Sequence, residues 1–140
     1  MLFKMRKHYM SDSKEFNLWI EFAKNDLLVA KELSFEKHFV YRAILMHAQQ
    51  AIEKYLKAFL LFSKQTNIRT HDLLILCKIA EKYDETFLIF EEKLTWISVN
   101  YMQSRYPDNF EDIDIEDAKR ALDIATQFEI FILSKFDIKK

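Results

Sequence analysis

The chain contains no glycine in 140 residues and only one proline, Pro107. Average usage would place about ten glycines in a chain of this length. Tight β-hairpin turns need residues with positive φ, which glycine adopts without steric cost, so hairpin architectures are nearly excluded. Rossmann turns and P-loops are excluded as well, because both are built from glycines. The sequence therefore favours an all-α fold.

Composition narrows the class of protein further. Half of the residues are apolar and the net charge is −1, which disfavours a generally basic nucleic-acid binder but leaves a local basic patch open. The single cysteine, Cys77, can form neither an internal disulfide nor a zinc cluster, and we expect it to fill the core. Because no run of 18 apolar residues and no signal-peptide core is present, we expect a cytoplasmic protein without a membrane partner.

Apolar residues recur at helical spacing almost throughout the chain. The pattern predicts a flexible lead-in over residues 1–11 and one domain over residues 12–140. That domain is expected to be an antiparallel up-and-down bundle of about five helices. The predicted helices run from Asp12 to about Leu33, from about His38 to Ser63, from a cap at Thr70 or Asp72 to Tyr83, from about Glu85 to Arg105, and from a cap at Asp114 onward.

Two of these helices have informative faces. The apolar stripe of the first helix includes Trp19, Ala23 and Leu27, and it leaves Asp26 outside the predicted core. The second half of the fifth helix, around Ile130, is apolar nearly all round. A helix of that kind is either central or covered by a partner, so we expect a homodimer.

The second helix carries a polar stripe opposite its apolar arc. His47, Gln50, Lys54 and Lys57 follow one another at spacings of three and four residues, and Gln49 and Glu53 lie on the same polar side. Two cations, an amide and an imidazole in a row could hold a phosphate or a nucleotide. The alternative is a solvated face on which Glu53 pairs with Lys57.

Four segments of the chain, in order, resemble those of HEPN domains (higher eukaryotes and prokaryotes nucleotide-binding). The residues that carry the resemblance are His-Ala-Gln-Gln-Ala-Ile-Glu-Lys-Tyr-Leu-Lys-Ala at 47–58, Trp19 with Ala23, Asp26 and Leu27, Thr70-His71-Asp72-Leu73, and Ser104-Arg105-Tyr106-Pro107-Asp108. The resemblance implies a bundle of about five helices that is usually dimeric. Many members of the family are encoded beside a minimal nucleotidyltransferase, as a toxin–antitoxin pair or a split enzyme, and such members have been proposed to bind nucleotides.

Other HEPN domains are metal-independent ribonucleases that use an arginine and a histidine four to six residues apart, normally near the fourth helix. Here Arg105 is near the expected place, but no histidine follows it within reach. Arg42 and His47 have the spacing on the wrong helix, where their side chains would point about 140° apart. If the chain is a ribonuclease, the candidate catalytic residues are His47, Arg42, Arg105 and His71.

The resemblance and the residue types also suggest a nucleotide site. Arg105 could bind a phosphate in bidentate fashion while Tyr106 stacks on a base, and His71 could donate to a phosphate near a helix start. The structural alternatives are that Arg105 bonds the last carbonyls of its own helix, that Tyr106 fills the edge of the core, and that His71 with Asp72 orders a loop. The candidate nucleotide-binding residues are Lys54, Lys57, Gln50, His71, Arg105, Tyr106 and Asp108.

Three functions remain open from the sequence. The first is a non-catalytic module that binds a nucleotide or a minimal nucleotidyltransferase partner, with no cofactor and no metal of its own. The second is a metal-independent ribonuclease toxin, for which RNA is the substrate. The third is a purely structural helical adaptor.

Overall fold

The computed structural model describes residues 12–33, 35, 38–65, 68–106 and 113–136. These residues form five α-helices and one 3-10 helix, with no strand among them. The elements are α1 (Asp12–Glu32), α2 (His38–Phe62), α3 (Leu73–Glu81), the 3-10 helix (Glu85–Phe90), α4 (Glu91–Ser104) and α5 (Ile115–Lys135). The predicted all-α bundle is confirmed, and the predicted lead-in lies outside the described residues.

Helix α2 lies at the centre of the molecule, since α1, α3, α4 and α5 all pack against it. It runs antiparallel to α1: Phe16 near the start of α1 contacts Phe62 at the end of α2, whereas Asp26 bonds His47 farther back along α2. Buried in the middle of α2 is Tyr55, whose hydroxyl donates to Glu129 of α5. Burial is the main cause of the raised pKa of Tyr55, and the bonded carboxylate of Glu129 raises this pKa further.

The four long helices alternate in direction, as the bundle prediction requires. Lys93 of α4 donates to Gln127 of α5 at 3.0 Å, and Arg120, earlier on α5, covers the ring of Trp96, later on α4. The short α3 is the element outside this alternation. It runs in the same direction as α2. His71, just before α3, bonds Glu53 in the middle of α2, and Tyr83, just after α3, bonds Gln65 just beyond the end of α2.

Two predicted helix starts are confirmed by their caps. Asp72 Oδ1 accepts from the backbone N–H groups of Leu74 and Ile75, which opens α3. Asp114 and Asp117 form a reciprocal capping box at the start of α5. Each cap pairs backbone donors that the helix itself leaves unbonded.

The predicted fourth helix is broken into two. Residues Glu85–Phe90 are 3-10 helical, and the α-helix begins only at Glu91. A 3-10 turn places residues i and i+3 on the same side, and both Phe87 and Phe90 are buried. The tighter winding therefore directs both rings into the core, where each lies with its centroid 4.9 Å from that of Phe131 on α5.

The contacts with Phe87 and Phe90 also explain the apolar second half of α5. Phe131 is half-buried against the 3-10 helix, while Phe128 and Ile132 are in the core. Ile130 is 68% exposed.

Cys77 is fully buried, as expected for a core filler, and burial raises the pKa of its thiol to about 12. Among the described helices, none is long and apolar enough to cross a membrane.

Candidate functional site

A cleft of about 600 Å³ opens between α2, the residues that precede α3, and α4. It brings together four of the residues predicted to bind a nucleotide: Gln50, Lys54, His71 and Arg105. Among the described residues, its lining is Gln49, Gln50, Glu53, Lys54, His71, Asp72, Ser98, Tyr101, Met102 and Arg105.

The helical period explains why these residues meet. On α2, Gln49 and Gln50 lie one turn before Glu53 and Lys54, so the four side chains form one stripe. The lining residues of α4 and its C-cap Arg105 follow the same spacing of three and four. Two stripes thus form facing walls, and His71 with Asp72 lines the end of the cleft next to α3.

Gln49 was predicted to lie on the polar side of α2, but the structure buries it. The residue is 4% exposed, and its Oε1 has no hydrogen-bond partner among the described residues. It nevertheless lines the cleft. The sequence signal for this position is weak, because α2 is covered on several sides and a helical projection does not show which polar residue lies under a neighbouring helix.

Asp26 was expected outside the core, and that expectation is wrong. It is 8% exposed, on the seam between α1 and α2, where it bonds two residues of α2. His47 Nδ1 donates to Asp26 Oδ1 at 2.9 Å, and Lys54 Nζ donates to Asp26 Oδ2. A carboxylate is tolerated at this depth because two donors of α2 satisfy it. His47 is consequently held on the α1 side and does not line the cleft.

Glu53 organises the next turn of α2. Lys57 Nζ lies 3.0 Å from Glu53 Oε2, so the predicted pairing of these two residues is confirmed. His71 Nδ1 donates to the same carboxylate oxygen at 2.5 Å, which makes Glu53 rather than Asp72 the partner of His71. The ammonium of Lys57 also lies 5.5 Å from the ring centroid of Trp19, and Lys57 is outside the cleft lining. Acidic side chains therefore pair with both lysines of the predicted stripe.

The HEPN domain family model matches residues 16–134. The chain belongs to the HEPN family. No curated protein and no solved structure matches the chain.

Besides Lys54, Arg105 is a cation in the described cleft lining of this HEPN domain. It lines the cleft, and it forms no ion pair with the carboxylates of the described residues. Its guanidinium carbon lies 6.0 Å from the ring centroid of Tyr101. The role of bonding the last carbonyls of α4 belongs instead to Arg42, whose Nε donates to Ser104 O at 2.7 Å.

The other described candidates are outside the cleft lining, namely Arg42, His47, Lys57 and Tyr106. Arg42 Nε donates to Ser104 O and His47 Nδ1 donates to Asp26 Oδ1, so each of the two residues has a partner of its own on another helix. Tyr106 is 56% exposed, and Asp108 lies outside the described residues. In the part of the chain that the structure describes, no group of three or more His, Cys, Asp or Glu residues could hold a metal ion.

Proposed function

We propose that this HEPN domain is a non-catalytic module that binds a nucleotide in the cleft between α2 and α4. The observation that carries the proposal is the meeting of Gln50, Lys54, His71 and Arg105, from three parts of the chain, in one cleft. A volume of about 600 Å³ is within the range of small-molecule sites, roughly 300–1,000 Å³. The proposal includes a homodimer that acts with a separate minimal nucleotidyltransferase. Membership of the HEPN family supports this part of the proposal.

The charges of the cleft support Arg105 as the residue that binds the phosphate of such a nucleotide. A guanidinium offers several N–H donors in a fixed plane that matches phosphate oxygens. Lys54 is a second cation of the lining, but it already pairs with Asp26. Glu53 and Asp72 make the other end of the cleft unfavourable for an anion. The phosphate therefore belongs near the end of α4, and the base near α2.

Titration calorimetry and thermal unfolding with ATP, GTP, CTP and UTP test the proposal. At least one nucleotide should stabilise the protein saturably, by roughly 2.7 kcal/mol at about 100 times its Kd. Arg105→Ala should weaken binding about tenfold or more, because a hydrogen bond to a charged group is lost. Arg120→Ala is the matched control, since Arg120 also lies over an aromatic ring but on α5, away from the cleft.

Two results would contradict this function. If none of the four nucleotides stabilises the protein, the proposed nucleotide-binding function is wrong. If Arg105→Ala and Arg120→Ala bind equally well, the phosphate does not lie at Arg105.

One observation favours metal-independent ribonuclease activity as a second candidate. His71 and Arg105 line the same cleft, and Glu53 accepts the Nδ1 proton of His71. That bond directs the other ring nitrogen, Nε2, to act as the base. His71 would take the proton of a ribose 2′-hydroxyl, whose oxygen attacks the adjacent phosphate to give a 2′,3′-cyclic phosphate. The bond from phosphorus to the 5′-oxygen of the next nucleotide breaks, and that oxygen takes a proton from water. Arg105 would stabilise the extra negative charge on the phosphate.

RNA cleavage in excess EDTA tests this second candidate. The ribonuclease hypothesis expects cleavage that His71→Ala and Arg105→Ala abolish and that His47→Ala retains, since His47 is outside the cleft lining. Intact RNA with the parent protein, or cleavage unchanged in His71→Ala, would contradict it.

A further inference from the structure

We propose that the outer face of α1 binds the same face of a second copy of the chain, with the two α1 helices antiparallel. The inference rests on the homodimer of the proposed function and assigns the surface through which that homodimer forms. The observation behind it is an apolar stripe on the side of α1 that faces away from the core.

This outer stripe consists of Leu18, Phe22, Asn25 and Val29, which follow one another at spacings of four, three and four residues. Such an alternation places side chains on one face of a helix, and it is the spacing at which two helices of a coiled coil meet. Leu18, Phe22 and Val29 are 38%, 51% and 40% exposed, and Asn25 is exposed as well. No described element therefore covers the outer stripe.

The opposite face of α1 already attaches the helix to the bundle. Ala23, Leu27 and Ala30 are buried there, and α1 packs against α2 and, less extensively, against α5. The fold thus has no need of apolar residues on the outer face. Single exposed hydrophobic residues are ordinary, but several on one face of a helix indicate an interaction surface.

The outer stripe matches itself when the second helix runs the other way. In an antiparallel pair centred between residues 23 and 24, Leu18 meets the partner's Val29 and Phe22 meets the partner's Asn25. Because a two-fold axis repeats each contact, all four residues of both copies then have a counterpart.

The charges beside the outer stripe favour a second copy as its occupant. Glu21 and Lys24 are exposed on the same side of the stripe, and neither forms a salt bridge with the described residues. In the antiparallel pair, Glu21 and the partner's Lys24 differ by about 3 Å along the helix axis, at the usual rise per residue. Glu32 likewise comes level with the partner's Lys14. Opposite charges therefore meet on both sides of the centre.

A parallel pair would lose this complementarity. The side of the stripe that carries Glu21 would then face the other side of the partner's stripe. Glu21 would come close to the partner's Asp26, and like charges brought together across an interface are costly. The charges thus favour the antiparallel orientation.

Sedimentation equilibrium of the full chain tests the inference. Two helices of this length bury less than about 1,200 Å², so the association is weak, and concentrations from about 1 to about 300 µM should show a monomer–dimer equilibrium. Leu18→Glu should raise the dissociation constant about tenfold or more, because it buries an unpaired carboxylate against the partner's Val29. Ile130→Glu is the matched control: Ile130 is 68% exposed on α5, and its substitution should leave the dissociation constant unchanged.

Charge reversal tests the orientation of the two helices. Glu21→Lys alone or Lys24→Glu alone brings like charges together in the antiparallel pair and should raise the dissociation constant about threefold or more at low salt. The two substitutions combined restore opposite charges, and the dissociation constant should return to within about twofold of the parental value. Circular dichroism checks that each variant is folded, and all the substituted residues are exposed.

The outcomes separate the surface from the function beneath it. A dimer that withstands Leu18→Glu, or that Ile130→Glu dissociates instead, would overturn the outer stripe and leave the homodimer in place. A combined charge reversal that stays as weak as the single ones would overturn the antiparallel pair. If the parent is a monomer at every concentration, the homodimer fails with the inference, whereas nucleotide affinity measured on the same samples decides the nucleotide-binding function independently.

Discussion

At the residue scale, Asp26 is the side chain whose role differs most from its position in the sequence pattern. Its carboxylate lies on the α1–α2 seam and bonds His47 and Lys54 together. Since Lys54 also lines the cleft, this one carboxylate both joins two helices and fixes a cleft residue. Removal of one partner of a buried ion pair leaves the other charges uncompensated, which is more costly than loss of the attraction alone.

Asp26→Ala should therefore lower the free energy of unfolding by about 3 kcal/mol. Urea unfolding at pH 7 measures the change. Asp123→Ala is the matched control: Asp123 is exposed on α5 and accepts a bond from Gln127, so the loss there should be below about 1 kcal/mol. Equal losses in the two variants would show that the Asp26 cluster does not hold α1 to α2.

The sequence alone indicates four of the residues that line the cleft, but not how they are partnered. Gln50, Lys54, His71 and Arg105 were predicted from residue type and family resemblance, and the structure brings them together. The sequence predicted the i,i+4 pair of Glu53 with Lys57, but it did not indicate that Asp26 bonds Lys54 or that Glu53 bonds His71, because those contacts join positions 28 and 18 residues apart. Gln49 was missed for a similar reason, since a helical projection shows no neighbouring helix.

At the element scale, the caps and the apolar period were sufficient to place most helices. Asp72 and Asp114 begin α3 and α5 as predicted, since a carboxylate at these positions pairs free backbone donors. The 3-10 helix could not be predicted in this way. Over six residues, apolar positions three apart fit both the 3-10 and the α-helical period, and the choice depends on packing against α5.

At the scale of the whole molecule, one ion pair links the end of α5 to the turn between α3 and the 3-10 helix. Lys135 Nζ lies 2.8 Å from Asp84 Oδ2, and its ammonium lies 4.8 Å from the ring centroid of Phe131. Asp84 also accepts from the backbone N–H and the hydroxyl of Thr86. Burial alone would raise the pKa of Asp84, but the bonds from Lys135 and Thr86 outweigh it and lower the pKa.

This lowered pKa predicts how the stability of the fold depends on acid. A carboxyl whose pKa is lower in the folded state stabilises that state above its unfolded pKa, about 3.9 for aspartate. The stabilisation disappears as the pH falls through the folded pKa. The parent should therefore be more stable than Asp84→Asn at pH 7, and the difference should shrink below pH 4, as urea unfolding at pH 7, 5 and 3 would show. Lys135→Met removes the same pair from the other side and should lessen the same acid dependence. A difference between the parent and Asp84→Asn that is constant from pH 7 to 3 would mean that the charge of Asp84 does not help to hold α5 against the rest of the bundle.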